Sequence, residues 1–219
     1  MLRLAGLDWE SRGRRANRRT LRDLIGRTSN FATMRWLGHP IWQNVLDLWT
    51  IQEALAEVRP ALLIEGGTHH GGSALFYAHL FDLMNYGRVI TIDIERIHDL
   101  THPRIEAVTA STLDPVLVER LRRETSRAEG AVMVILDDNH TAAHVRQEME
   151  LYGPMVTVGS YLMVQDGVID TLPGVGSPPG PLVAILEFLQ THPEFEVDRA
   201  KSERFPFTHH PSGWLRRRS

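Results

Sequence analysis

The sequence contains no cysteine in its 219 residues, which excludes a disulfide scaffold, a thiolate zinc site, an iron–sulfur cluster and a cysteine nucleophile. Long apolar runs are also absent: none approaches the roughly 18 residues of a membrane span, and the first residues hold no apolar signal core. We therefore expect a soluble, cytoplasmic protein without a membrane partner. Because 42% of the residues are hydrophobic, a chain of this length can bury a sizeable core, and one large domain is expected.

Lysine is nearly absent as well, since Lys201 is the only lysine beside 23 arginines. The acidic residues outnumber the basic ones, for a net charge of −3, so the bulk charge does not indicate a nucleic-acid partner. The arginines are unevenly placed: residues 1–27 hold eight of them and three acids, a local charge of +5, which leaves −8 for the rest of the chain. Such a segment can bind phosphates or form a solvated helix face.

From residue 43 onward, short apolar runs alternate with segments of helical periodicity. The predicted strands are 61–64, 88–93, 104–108, 131–137 and 160–165, and the predicted helices are 43–58, 73–83, 115–126, 141–151 and 182–190. Continuous apolar strands that alternate with helices are typical of a parallel sheet covered on both faces. Two short strands near 195–197 and 214–216 would add an antiparallel edge. The expected fold is therefore α/β, with a doubly wound, mostly parallel sheet.

Ligands of such folds bind beyond the carboxyl ends of the strands, so the residues at those ends are the candidates for function. Glu65, Gly66 and Gly67 end the first strand and begin a turn that leads into a helix, whose free N–H groups suit a carboxylate or phosphate. The spacing matches neither a P-loop nor G-x-G-x-x-G, and a purely structural glycine turn is an alternative. Asp93 ends the second strand, where an acid can accept both ribose hydroxyls; capping the next helix is the alternative.

Acidic residues also end two later strands. Asp137 follows the fourth strand and Gln165-Asp166 follows the fifth, so their oxygens can converge on a hard cation such as Mg²⁺. Helix capping and a turn would explain each acid singly. His140 lies three residues beyond Asp137, where a neutral imidazole could accept a proton from a hydroxyl, although a lone histidine is often a surface or packing residue.

These stretches resemble the cephalosporin hydroxylase / rhamnosyl O-methyltransferase family. The similarity extends from about residue 31 to the end, through WLG, DLW, IEGGTHHGGSALFYA, RVITIDI, HPRIEAVTASTLDP, VMVILDDNHTAAHV, ELYGPMVTVGSYLMVQDGVID and PSGWLRRR. The resemblance implies a class I methyltransferase fold, S-adenosylmethionine (SAM) as cofactor, and a bound divalent cation such as Mg²⁺. It implies O-methylation of a small hydroxylated secondary metabolite, such as a sugar or glycosylated natural product, in natural product or antibiotic biosynthesis.

The resemblance also assigns roles to residues. It implies cofactor binding by Glu65, Gly66, Gly67, Thr68, Ser73, Asp93, Ser111 and Asp137, metal binding by Asp137, Gln165 and Asp166, and catalysis by His140 and Asp137. Within the cofactor set, Asp93 would hold the ribose and Ser111 would lie near the adenine. The chain departs from the family pattern in two places: Asp138-Asn139 replaces Ser-Asp, and Gln165 replaces Glu. A glutamine carbonyl can bind Mg²⁺ but carries no negative charge.

The expected reaction is an in-line displacement in which Mg²⁺ binds the substrate oxygen and His140 removes its proton. One alternative is a non-haem iron hydroxylase, for which His192, Glu194 and either His209 or His210 offer the residue types. A second alternative is a non-catalytic protein that retains the cofactor site and acts by binding a partner.

We divide the chain into residues 1–42, an arginine-rich arm with a substrate-side segment, and residues 43–219, the methyltransferase domain. Segments 31–42 and 173–181 are expected to cover the substrate, with Trp36 and Trp42 available to stack on its ring. A homo-oligomer is expected.

Overall fold

The computed structural model describes residues 33–172, 174 and 176–219. The arginine-rich residues 1–27 lie outside the described residues, so the predicted arm and the division at residue 42 stay predictions. Among the described residues, no helix is both long and apolar enough to cross a membrane.

Nine strands and six α-helices make up the described part of the chain. The strands are β1 (Arg35–Trp36), β2 (His39–Pro40), β3 (Leu62–Gly66), β4 (Arg88–Asp93), β5 (Ile105–Thr109), β6 (Val132–Leu136), β7 (Tyr161–Val164), β8 (Phe195–Val197) and β9 (Trp214–Arg217). The helices are α1 (Val45–Val58), α2 (Gly72–Met84), α3 (Pro115–Ser126), α4 (Ala142–Tyr152), α5 (Pro181–Thr191) and α6 (Arg199–Ser202). Gly153–Met155 and Gly167–Asp170 form short 3₁₀ helices.

The main sheet has seven strands in the order β5-β4-β3-β6-β7-β9-β8. The first five run parallel, whereas β9 pairs antiparallel with both β7 and β8. This arrangement confirms the predicted doubly wound α/β fold with an antiparallel edge near the C-terminus.

The apolar residues of each strand alternate between two cores, because successive side chains of a strand point to opposite faces of the sheet. Leu62 and Ile64 pack with α3, α4 and α5, whereas Leu63 between them packs with α1 and α2. The continuous apolar runs in the sequence are thus explained by helices on both faces.

Local capping sets where the helices begin. The predicted helix 43–58 begins two residues later, because the side chain of Asn44 accepts the N–H of Leu46 at 2.8 Å and ends the preceding extended segment. Asp114 caps α3 in the same way through the N–H groups of Val116 and Leu117. Part of the substrate-side segment before α1, for which no strand was predicted, forms the β1–β2 hairpin.

The turn after β3 depends on Gly67, which has a φ of +96°. A Cβ built on this residue would lie 2.1 Å from the carbonyl oxygen of Asp137, at the end of the neighbouring strand. Only a residue without a side chain therefore allows the turn to approach the loop after β6 so closely.

We expect Gly67→Ala to destabilise the protein by at least about 3 kcal/mol, because it adds a backbone collision to the strain of a positive φ. Gly159→Ala is the matched control: φ is +86° there, but nothing lies within 4 Å of the added Cβ. It should cost only about 1 kcal/mol. Urea unfolding of both variants measures the difference, and equal losses would contradict the close approach.

Candidate active site

The parallel strands β3, β4, β6 and β7 all end at the same edge of the sheet, and the structure has a cavity of about 540 Å³ there. The predicted site residues that line it are Gly67, Thr68, Ser73, Asp93, Ser111, Asp137, His140 and Asp166. Three others, Glu65, Gly66 and Gln165, are not part of its lining. Most of the residues that the sequence predicted for the site thus surround one cavity at this edge of the sheet.

Asp137, His140 and Asp166 form a cluster of two carboxylates and one imidazole in this cavity. Nε2 of His140 lies 3.5 Å from Oδ1 of Asp137 and 3.3 Å from Oδ2 of Asp166. All three residues offer ligand atoms within 4.8 Å of one another. The contact with Asp137 is at the long limit for a hydrogen bond, and both separations leave room for a cation between the groups. Two oxygen donors and one nitrogen donor that face one point fit a divalent metal ion.

The two carboxylates strongly affect the charge of His140. Burial alone would lower the pKa of this imidazole, but its hydrogen bond to Asp137 and the charge of Asp166 together raise the pKa to about 9. Burial raises the pKa of Asp137 above its usual range. The two carboxylates thus favour the protonated form of His140.

Gln43 is a site residue that sequence analysis missed. It stands just before α1, is 4% exposed, and its Nε2 donates to both Oδ2 of Asp137 and Oε1 of Gln165, each at 2.7 Å. The oxygen of Gln165 that was predicted to bind metal is therefore engaged by a neighbouring amide. Oε1 of Gln43 and Nε2 of Gln165 are buried without a hydrogen-bond partner. Gln43 thus joins the two strand ends that the sequence predicted to share a cation.

The position of Asp166 is fixed by its backbone conformation and by a hydrogen bond from its backbone N–H. Its φ of +56° is unusual for a residue with a side chain, and its N–H donates to Nδ1 of His210 at 2.9 Å. Burial lowers the pKa of His210 to about 3, so the imidazole is neutral and Nδ1 is free to accept. Asp47 on α1 accepts the N–H of His209 at 2.9 Å and the hydroxyl of Thr208 at 2.5 Å. Helix α1 and the segment before β9 therefore fix Asp166 together.

Glu65 lies beneath the cavity and not in its wall. The side chain is 1% exposed, and its Oε2 accepts a hydrogen bond from the hydroxyl of Thr91, with 2.6 Å between the two oxygens. Burial raises the pKa of Glu65 to about 8, against the opposing effect of hydrogen bonds from Ser73 and Thr91. Its position follows from strand register: Glu65 has the same orientation as Leu63, toward the α1–α2 face.

Asp93 and Ser111 line the cavity where the resemblance places the nucleoside. Oδ2 of Asp93 accepts the backbone N–H of His69 at 2.8 Å, so the acid also holds the glycine turn. The hydroxyl of Ser111 accepts the N–H of Leu113 at 3.2 Å. Both residues face the cavity, as the sequence predicted.

Aromatic and imidazole rings line one side of the cavity. The ring of Trp42, which is 52% exposed, lies 4.7 Å from that of His69, and His70 lies 4.2 Å from His69. Trp36, by contrast, donates from Nε1 to His79 at 2.9 Å and packs edge-on against Phe76 at 4.8 Å. Of the two tryptophans considered for substrate contact, only Trp42 faces the cavity.

The two predicted covering segments differ. Pro40 and Trp42 of segment 31–42 line the cavity. No described residue of segment 173–181 lines it, and Pro179 accepts a backbone hydrogen bond from Ala142 at 3.0 Å, at the start of α4. Phe31, Pro173 and Val175 lie outside the described residues. The described part of the second segment therefore packs against α4.

The residues considered for a non-haem iron centre are engaged elsewhere. His192 stacks on Phe188 at 3.9 Å, and its Nε2 lies 3.1 Å from Glu150. His210 accepts the N–H of Asp166. Within the described residues, each cluster that could hold a metal contains a single histidine, whereas that centre needs two. The structure therefore does not favour the hydroxylase alternative.

The family of this chain follows from its similarity to known proteins. A model described as Rhamnosyl O-methyltransferase/CmcI matches residues 29–218. The chain belongs to this family. The rhamnosyl O-methyltransferase of Mycobacterium tuberculosis (strain ATCC 25618 / H37Rv) is 34% identical over 191 residues, which cover 82% of this chain and 76% of that protein. The rhamnosyl O-methyltransferase of Mycobacterium leprae (strain TN) is 34% identical over 197 residues, 85% of this chain and 84% of that protein.

Solved structures share the fold of this Rhamnosyl O-methyltransferase/CmcI family member. A CmcI structure with Mg and SAM superposes with a TM-score of 0.69 at 19% identity and covers 87% of this chain and 78% of that chain. MycE methyltransferase from the mycinamycin biosynthetic pathway, in complex with Mg and SAH, has a TM-score of 0.52 at 22% identity, covering 86% of this chain and 48% of that one.

The predicted activity, that of a SAM-dependent O-methyltransferase, is confirmed at the level of the Rhamnosyl O-methyltransferase/CmcI family. The expected SAM and Mg²⁺ agree with the neighbouring structures and with the Asp137–His140–Asp166 cluster.

Proposed function

We propose that this protein transfers the methyl group of SAM to a hydroxyl of a sugar, carried by a glycosylated natural product. The observation that carries the proposal is the position of His140 in the cavity, within 3.5 Å of two carboxylates that can hold a cation. The rhamnosyl O-methyltransferases that are 34% identical to this chain support a sugar hydroxyl as acceptor.

The cofactor residues divide into two groups in this proposal. Gly67, Thr68 and Ser73 surround the methionine end of SAM, while Asp93 binds the ribose and Ser111 lies beside the adenine; all of them line the cavity. Glu65 and Gly66 act from beneath: the buried Glu65 fixes Thr91 and Ser73, and Gly66 leaves no room for a side chain, since a Cβ there would lie 3.2 Å from Cγ2 of Thr112.

Asp137 and Asp166 hold the cation, and Gln165 supports them through Gln43 without binding metal itself. When bound, SAM supplies an electrophilic methyl group, and the cation supplies positive charge that orients the substrate oxygen and lowers the pKa of its hydroxyl. With both carboxylates engaged, His140 is free to lose its proton and to accept the substrate proton at Nε2. Trp42, His69 and His70 form a ring-lined wall against which a sugar can pack.

The direct test is incubation of the protein with SAM, Mg²⁺ and a panel of glycosylated natural products. A mass gain of one methyl group in a rhamnoside or related glycoside, dependent on both additions, is the expected result. A calorimetric titration with SAM separates the alternatives: binding without turnover on any acceptor would favour a non-catalytic protein, and no binding at all would contradict the methyltransferase and the non-catalytic reading together.

We expect His140→Ala to slow single-turnover methyl transfer at neutral pH by about 10²–10⁴-fold, the usual contribution of a proton acceptor. Mn²⁺ bound to the variant should be measured by equilibrium dialysis in parallel. Slow transfer with metal binding retained supports the proton-accepting role, whereas loss of the metal would make His140 a ligand. An unchanged rate under conditions in which chemistry limits turnover would exclude both roles.

The remaining expectations stay predictions of this proposal. They are a cytoplasmic location, a homo-oligomeric state, the absence of a nucleic-acid partner, and a function in natural product or antibiotic biosynthesis.

A further inference from the structure

A second cluster of potential metal ligands lies beside Gly66, the last residue of β3. Asp138, His144 and Glu148 offer one carboxylate oxygen, one imidazole nitrogen and a second carboxylate oxygen, all within 4.8 Å of one another. A Cβ built on Gly66 would lie 3.6 Å from Oε1 of Glu148 and 3.9 Å from Cγ of Asp138. We propose that these three residues form a second divalent-metal site, selective for Zn²⁺-type ions over Mg²⁺.

The distances from His144 to the two carboxylates are closer to the spacing of ligands around one metal ion than to the lengths of hydrogen bonds. Nε2 of His144 lies 3.4 Å from Oδ2 of Asp138 and 3.6 Å from Oε1 of Glu148. Good N–H···O hydrogen bonds measure roughly 2.7–3.2 Å, so neither contact is a strong one. Ligands that bind Zn²⁺ tetrahedrally at about 2.0–2.2 Å are separated from one another by about 3.3–3.6 Å, which matches both contacts.

Glu148 gives independent support for an ion at this place. Its side chain is 0% exposed, and neither carboxylate oxygen has a hydrogen-bond partner. A buried carboxylate that accepts no hydrogen bond is costly, and a metal ion among the three side chains would bind it directly.

A fourth donor and an entry path are present. The hydroxyl of Thr112 donates a hydrogen bond to Oδ2 of Asp138 at 2.9 Å and its oxygen lies 3.3 Å from Nε2 of His144, so a small shift of this side chain would make its oxygen the fourth ligand. The backbone of Thr112 is fixed by the hydroxyl of Tyr152, which donates to its carbonyl oxygen at 2.7 Å. Asp138, His144 and Thr112 all line the 540 Å³ cavity, so an ion can reach the site from solvent.

The donor set and the burial of the site together determine which ion fits. An imidazole nitrogen suits Zn²⁺ or Co²⁺, whereas Mg²⁺ keeps several waters, for which the buried Glu148 leaves less room than the partly exposed Asp137–His140–Asp166 cluster. An ion here would join α4, which carries His144 and Glu148, to the loop after β5, which carries Thr112. Its function would be to fix the floor of the cavity, independently of any methyl transfer.

The test counts Zn²⁺ bound to the full-length, metal-free protein by equilibrium dialysis. The wild type should bind about two ions per chain, one at each cluster. Glu148→Gln and Asp137→Asn should each bind about one, and the double variant close to none. Glu119→Gln is the matched control, because Glu119 is an exposed glutamate on α3. It should bind as much Zn²⁺ as the wild type.

A second measurement keeps the proposal testable if Glu148→Gln folds poorly. Zn²⁺ should raise the Tm of Asp137→Asn, which retains only the second site, and should leave the Tm of Asp137→Asn/His144→Asn unchanged. The visible spectrum of Co²⁺ bound to Asp137→Asn should show coordination by nitrogen and oxygen. One ion per wild-type chain that is lost entirely in Asp137→Asn would overturn the proposal and leave His144 as the protonated partner of the two acids.

Discussion

Replacement of Asp137 by asparagine should lower methyl transfer by about 10³-fold while the affinity for SAM changes by only a few fold. The reason is the place of this carboxylate: its Oδ1 faces His140 at 3.5 Å, and the side chain belongs to the cluster that fits a cation. Removing one charged ligand weakens cation binding and leaves His140 with a single nearby acid. A loss of this size corresponds to roughly 4 kcal/mol of transition-state stabilisation.

Turnover with saturating SAM and a calorimetric SAM titration measure the two quantities separately. Asp99→Asn is a suitable control, since Asp99 is an exposed acid outside the main cavity. Full activity of Asp137→Asn in the presence of EDTA would refute the metal role of this residue. A parallel loss of SAM affinity would indicate that Asp137 mainly binds cofactor.

Gln43→Leu should weaken Mg²⁺ or Mn²⁺ binding by about 10–100-fold, the usual effect of removing a group that orients metal ligands. The amide of Gln43 donates to Asp137 and Gln165 at 2.7 Å each, and leucine would leave both acceptors buried without that donor. Oδ2 of Asp137 would then be free to rotate toward His140. The carboxylate would therefore no longer be held in one orientation relative to the cation.

Mn²⁺ binding, followed by the electron spin resonance of the free ion, measures this effect without any acceptor. Gln52→Leu makes the same chemical change on α1 at a residue outside the cavity lining, and should leave Mn²⁺ affinity unchanged. If Gln43→Leu binds Mn²⁺ as tightly as Gln52→Leu does, Gln43 does not position the ligands.

Much of this site could be predicted from the sequence because its residues directly follow apolar strands. Asp93, Asp137 and Asp166 each end or follow a strand of a parallel sheet, and such ends meet at one edge. The same pattern placed the glycine turn correctly. Strand ends therefore predicted where the acidic residues of the cavity would lie, whereas Thr68, Ser73 and Ser111 were predicted only from the family resemblance.

The features of the site that the sequence did not predict depend on contacts between residues that are far apart in the chain. Gln43 and Asp137 are 94 positions apart, and the only local signal is a polar residue between Trp42 and the capping Asn44. Glu65 was placed in the wall because it precedes the glycines, yet strand register turns its side chain into the interior, against Thr91. The engagement of Gln165 by Gln43 belongs to the same class of long-range contact.

The link between Asp166 and the segment before β9 has a thermodynamic consequence. Because His210 and Asp47 hold Asp166 in a strained backbone conformation, the free energy of ordering the antiparallel edge contributes to the preorganisation of a cation ligand. Cation binding in the cavity and local unfolding of the C-terminal edge are then linked equilibria. A bound cation therefore favours the folded state of that edge. Strands β8 and β9 line none of the cavity, yet their ordering contributes to the affinity of the cavity for a cation.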